Sequence, residues 1–119
     1  MNRGQKFDYE ISAVFQRLHC NPPKSLDLHP HAFEVTLHLK AIRDPGQLYG
    51  LDMCYVQKQL QEWCDRIPPT VNDLIPSGTT EDLCLYFTQI PLEKSIQLTA
   101  VSVSETPERV TRLNCCERL

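Results

Sequence analysis

The sequence has no run of lysine or arginine, and its net charge is -3 over 119 residues, so it offers no basic surface for a phosphate backbone. No apolar run approaches the length of a membrane span. Residues 1–6 lead straight into alternating sequence, with no apolar signal segment, and a cytoplasmic location without membrane contact is expected. There is no low-complexity segment and no internal repeat beyond a loose two-half symmetry. The 6 cysteines form no CxxC pair, and without an export signal they are expected to stay reduced. Cys54, Cys64 and Cys84 fall in helix-like stretches, where buried thiols commonly serve packing. Cys115 and Cys116 are adjacent in a polar tail.

What is present fits one domain over residues 1–119, with 41% hydrophobic and 23% charged residues. Phe7, Tyr9, Ile11 and Ala13 alternate with Asp8, Glu10 and Ser12, the pattern of a half-buried strand. A bulge is expected at Val14-Phe15, then a loop over 19–27 around Pro22-Pro23, then a second strand over 31–42 antiparallel to the first. Asp44-Pro45-Gly46 marks a turn. Met53, Val56, Leu60, Trp63, Cys64 and Ile67 recur at helical spacing behind Asp52, a predicted N-cap, and Pro68-Pro69 ends that helix. Thr79 followed by Glu81 and Asp82 predicts a second helix start, with Leu83, Cys84, Phe87 and Ile90 as its stripe and Pro91 as its end. Ile96, Leu98, Val101 and Val103 predict a third strand with a parity change near Ala100. Residues 110–113 predict a short edge strand, and residues 114–119 a frayed tail.

One stretch carries chemistry. His29 and His31 flank Pro30 at the mouth of the second strand, and alternate residues of a strand share a face. The two imidazoles therefore point the same way, above Phe33, Val35, Leu37 and Leu39. Two ring nitrogens so placed suit two ligands of one zinc ion. His38 has the opposite parity and is expected to make cross-strand surface contacts.

Several pieces in order resemble the 6-pyruvoyl tetrahydropterin synthase and 6-carboxytetrahydropterin synthase family. Tyr9-Glu10-Ile11-Ser12-Ala13 with Gln16-Arg17-Leu18 resembles its first strand, which ends in His-Arg-Leu, and Leu28-His29-Pro30-His31 resembles Leu-His-Gly-His. Gly50-Leu51 onward resembles the family's helix start. Cys64-Asp65-Arg66 and Val71-Asn72-Asp73-Leu74 resemble Leu-Asp-His and Leu-Asn-Asp. Gly78-Thr79-Thr80-Glu81 resembles Pro-Thr-x-Glu, and residues 101–107 resemble Val-x-Val-x-Glu-Thr.

The resemblance implies an α+β tunnelling fold: a four-stranded antiparallel sheet, two helices on one face, order ββααββ. It implies a trimer or a dimer of trimers that covers the edge strands, with a pterin pocket at the subunit junction. It also implies zinc held by three histidines, a pterin anchored by Glu105 through paired N–H···carboxylate bonds, and Thr79 and Thr80 beside the substrate. Lyase chemistry on 7,8-dihydroneopterin triphosphate or a related pterin would follow, with Asp65 and a cysteine, here Cys20, in catalysis.

The sequence departs from that pattern at Cys54, where the family has an aspartate at the helix start, and at three places that bear on the metal and the chemistry. Gln16 stands at the first histidine, a poor zinc ligand beside imidazole, so His19 or Cys20 would have to swing in from the loop. Ser25 stands four residues before His29, where the cysteine is expected. Arg66 replaces the histidine after Asp65 and cannot act as a base. The alternatives to an active lyase are a degenerate paralogue that binds a pterin or purine-like ligand, one with only an assembly role, and a metal-free reaction on a related pterin.

Overall fold

The computed structural model describes residues 3–115. The elements run β1 (Gln5–Asn21), β2 (Ser25–Arg43), α1 (Met53–Asp65), α2 (Thr80–Phe87), β3 (Gln97–Thr106) and β4 (Arg109–Asn114), with a short 3₁₀ turn at Val71–Asp73. The strands form one antiparallel sheet in the order β1-β2-β3-β4. Both helices pack on one of its faces, as the resemblance implied.

Alternation decides which side chains meet the helices. Ile11, Ala13 and Phe15 of β1, Phe33, Val35, Leu37 and Leu39 of β2, and Val101 and Val103 of β3 are buried in one cluster with Val56, Leu60 and Cys64 of α1 and Leu83, Cys84 and Phe87 of α2. Each large side chain so buried contributes about 1.5–3 kcal/mol. Phe15 stacks on Phe33 with centroids 5.2 Å apart, one layer below His31 on the same face of β2.

The helices start where expected. Asp52 caps α1 by accepting the Tyr55 amide at 3.2 Å, and Thr79 caps α2 by accepting the Asp82 amide at 3.2 Å. The two helices are tied reciprocally: the Trp63 indole donates to the Tyr86 carbonyl at 3.2 Å, and the Tyr86 hydroxyl donates to the Trp63 carbonyl at 2.7 Å. Helix α2 ends at Phe87, short of the expected Ile90, which is nevertheless buried in the core.

Three local expectations need correction. Val14 and Phe15 continue the β1–β2 register without a bulge, paired with Glu34 and Phe33. Val14 is exposed because it belongs to the outer face, so the inward set runs unbroken through Ile11, Ala13 and Phe15. Residues 19–27 are not one loop: β1 runs to Asn21, β2 starts at Ser25, and the register shifts between His19 and Asn21. The parity change near Ala100 is present, since His38 faces Ala100 while Leu39 faces Leu98. Asn114 is the last residue of β4, and residues 116–119 of the expected frayed tail lie outside the described residues.

Candidate metal centre

His19, His29 and His31 meet at the hairpin end of β1 and β2. Their ligand atoms all lie within 4.8 Å of one another, the one such cluster among the described residues. Ring centroids are 4.5 Å apart for His19–His29, 5.1 Å for His19–His31 and 4.9 Å for His29–His31. His19 pairs with His29 across the ladder, and His31 follows two residues later on the same face.

His19 is 1% exposed. Its Nδ1 lies 2.8 Å from the Gly78 carbonyl oxygen, which fixes it as a donor. The remaining nitrogen, Nε2, is buried with no hydrogen-bond partner. His29 repeats the pattern, with Nδ1 3.1 Å from the Asp27 carbonyl oxygen. A backbone carbonyl on Nδ1 leaves the Nε2 lone pair free to bind a metal. Burial is the main cause that holds His31 below the usual histidine pKa, helped by the neighbouring His19, His29 and Arg109 and opposed by Glu105. A neutral ring is the form that ligates.

The segment after α1 is pinned against β1 and sets this geometry. The Asn72 side chain accepts the Cys20 amide at 2.9 Å and donates to the Cys20 and Pro76 carbonyls, both at 2.9 Å. The Leu18 amide donates to the Pro69 carbonyl at 2.9 Å. Gly78 has φ +64°, and a Cβ there would collide with the Cys20 carbonyl oxygen. A glycine is therefore what lets the Gly78 carbonyl reach His19.

The other predicted site residues divide. Gln16 is exposed and lies on the far face of β1, three residues and one parity change from His19, so it is not part of the cluster. It borders a cleft of about 560 Å³ with Arg17, Leu18, Pro30, Asp65, Ile67 and Pro69. Asp65 is exposed there and accepts from the Gln61 side chain at 3.2 Å. Arg66 lies over the Trp63 ring, 4.5 Å from its centroid. Cys20 is buried beside the register shift and does not join the histidine cluster. Thr79 serves as the α2 cap, and the Thr80 hydroxyl bonds the Thr111 hydroxyl at 2.6 Å.

Glu105 is at the cluster. One carboxylate oxygen lies 3.2 Å from His19 Nε2 and 3.9 Å from His31 Nε2, and the other lies 4.0 Å from the Arg109 guanidinium. Arg17 donates to the Ile67, Cys64 and Gln16 carbonyls at 2.9, 3.2 and 2.8 Å, closing the C-terminal end of α1.

His38 sits on the opposite face, as its parity requires. Its Nε2 lies 2.8 Å from the Ser102 hydroxyl and its Nδ1 3.4 Å from Glu10. A polar cleft of about 600 Å³ adjoins it, lined in part by Asp8, Lys40, Gln97 and Arg112, and contains none of the three clustered histidines.

This chain superposes on the solved structure of Caenorhabditis elegans 6-pyruvoyl tetrahydropterin synthase with a TM-score of 0.78 and 17% sequence identity, over 97% of this chain and 99% of that one. The chain has the tunnelling fold. At that identity the likeness establishes the architecture. No protein-family model matches the sequence, and no curated protein matches it. No helix among the described residues is long and apolar enough to cross a membrane. Within the tunnelling fold, the sites sequence reasoning missed are Asn72 and Gly78. Their signal was present, since both lie in the stretches that resemble Leu-Asn-Asp and Pro-Thr-x-Glu, but their role is to hold backbone.

Proposed function

We propose that this chain is a pterin-binding protein whose His19, His29 and His31 hold a zinc ion. The observation that carries the reading is the buried His19 Nε2, which accepts no hydrogen bond and faces two further imidazoles and, at 3.2 Å, the Glu105 carboxylate. An acceptor left unpaired in a buried site costs roughly 1–3 kcal/mol, and a metal ion would recover it. Three neutral imidazoles are the donor set of zinc sites that keep a position for substrate. Bound there, zinc would supply Lewis-acid polarisation of an oxygen on the ligand's side chain.

The chain's own residues supply binding and orientation. The Gly78 and Asp27 carbonyls hold the two rings, Phe33 packs beneath His19 and His31 with centroids 5.0 and 5.9 Å away, and Glu105 offers a carboxylate to the amino and ring N–H edge of a pterin. The fold's likeness to a 6-pyruvoyl tetrahydropterin synthase supports this choice of ligand.

Exposed apolar residues at both ends of the β1–β2 hairpin support assembly as a trimer or hexamer: Phe7 and Ile42 at one, Leu18, Leu26 and Leu28 at the other. The molecule is elongated, 60 × 32 × 25 Å, and β1 and β4 are open edges that a second copy would cover.

A second reading, ligand binding without lyase turnover, is favoured by a specific observation. Asp65 and Cys20 do not join the histidine cluster, and Arg66 lies over the Trp63 ring instead.

The test combines metal analysis, light scattering and turnover. Protein purified without chelator is expected to carry close to one zinc per chain and to quench on adding neopterin. Zinc below about one-tenth equivalent that cannot be restored by dialysis removes the reading. Triphosphate release from 7,8-dihydroneopterin triphosphate separates the lyase from the binding protein, and loss of turnover in a His29→Ala, His31→Ala variant ties it to the metal.

A further inference from the structure

Glu105 sits where a pterin anchor would also have to be a neighbour of the metal, and its geometry supports a second role. The residue occupies the irregular position of the β3–β4 ladder, where Ser104 pairs with Val110 and Thr106 with Arg109, so Glu105 is the extra residue. Such a bulge re-aims a side chain. Here the carboxylate is divided: Oε2 lies 3.2 Å from His19 Nε2 and 3.9 Å from His31 Nε2, while Oε1 lies 4.0 Å from the Arg109 guanidinium. One oxygen thus faces two of the three nitrogens that would ligate, those of His19 and His31, and the other lies toward a cation outside the cluster, an orientation that suits a monodentate ligand. The Glu105 side chain is 26% exposed, against 1% for His19.

We propose that in the ligand-free protein Glu105 supplies the fourth ligand of the metal through Oε2, closing a site that three histidines alone would leave open. The inference rests on the three-histidine reading. Its chemistry is ordinary for zinc, which binds carboxylate oxygen alongside imidazole at about 2.0–2.2 Å. A carboxylate also lowers the net charge of a centre formed otherwise from neutral rings. An incoming pterin would then have to displace this oxygen before the metal could be reached, and the freed carboxylate would be available to the ligand's N–H edge.

Cobalt(II) substitution of the full-length protein reads this directly, because the visible absorption of cobalt reports its ligand number and type. Glu105→Gln and Glu105→Ala are expected to shift the visible bands and to weaken cobalt binding by roughly 10–100-fold, and added acetate is expected to bring the Ala variant's spectrum back. Variants with the unmutated protein's spectrum and affinity would overturn the proposal. A measurement on the unmutated protein guards against misfolded variants: azide should leave its spectrum unchanged if Glu105 fills the fourth position, and a saturable azide shift would refute that. His19→Ala tests the underlying reading separately. If it binds cobalt like the unmutated protein, the three-histidine site is wrong whatever Glu105 does.

Discussion

Replacing His19 and Gln16 one at a time discriminates between two placements of the third metal ligand, because only His19 reaches the cluster. Tetrahedral structural zinc sites in small peptides bind with about 10–16 kcal/mol, shared among four ligands, so one imidazole is worth roughly 3 kcal/mol. At about 1.4 kcal/mol per decade, His19→Ala is expected to weaken zinc binding by roughly a hundredfold or more. Gln16→Ala, on the exposed face of β1, is expected to change it by less than about threefold, within the range of surface substitutions. The assay is competition against a chromophoric chelator of known affinity, at fixed pH, on metal-free protein. His19→Ala also removes the donor to the Gly78 carbonyl at 2.8 Å and the volume of a ring that is 1% exposed. The metal-free variant should therefore lose about 2–4 kcal/mol of stability, which urea unfolding measures independently. His19→Gln keeps a side-chain donor and most of the volume, so a loss of affinity in it with a smaller loss of stability isolates the ligand role. Zinc affinity in His19→Ala within threefold of the unmutated protein, with a large loss in Gln16→Ala, would refute the placement of β1 itself.

Three further perturbations test the surroundings. Gly78→Ala forces a Cβ into the Cys20 carbonyl at a φ of +64°; it should cost about 1–3 kcal/mol in urea unfolding and weaken zinc roughly tenfold, whereas an unchanged affinity would show that the Gly78 carbonyl does not orient His19. Arg17→Ala removes three hydrogen bonds to carbonyls, two of them at the end of α1, and should lower stability by about 1–3 kcal/mol without altering binding of a phosphorylated pterin; a selective loss of that binding would instead make Arg17 a phosphate contact. Burial pushes the Cys64 thiol up to about 12 and the Cys84 thiol up to about 11. Their unfolded counterparts ionise near 9.0, so the stability these thiols contribute is complete below that pH and is lost as pH rises toward 11–12. Unfolding midpoints from pH 8 to 11 should fall less steeply in Cys64→Ala, Cys84→Ala, and parallel curves would contradict the burial of the two thiols.

The fold was readable from local pattern wherever alternation or helical spacing ran uninterrupted, and the centre was half readable for the same reason. His29 and His31 share a strand face by simple parity, and parity also sets His38 apart. His19 was the harder residue. Its neighbours Cys20, Asn21, Pro22 and Pro23 read as loop, and the resemblance of Gln16-Arg17-Leu18 to His-Arg-Leu drew attention to Gln16, three residues before the histidine that joins the cluster. Counting from the buried set decides otherwise: Ile11, Ala13, Phe15 and His19 lie on one face of β1, whereas Gln16 lies on the other. A three-residue offset reverses the face on a strand, so motif similarity and parity gave contradictory answers, and parity carries the physical constraint. What local sequence could not supply is why β1 persists past Leu18. The strand is held there by partners 50 and more residues away: the Pro69 carbonyl on the Leu18 amide, the Asn72 side chain on both backbone groups of Cys20, and the Gly78 carbonyl on His19. None of these has a periodic signature, because each is made by a single residue. The third clustered histidine was therefore hidden in a segment whose order comes from the α1–α2 connection, and the same connection supplies the carbonyl that His19 Nδ1 meets.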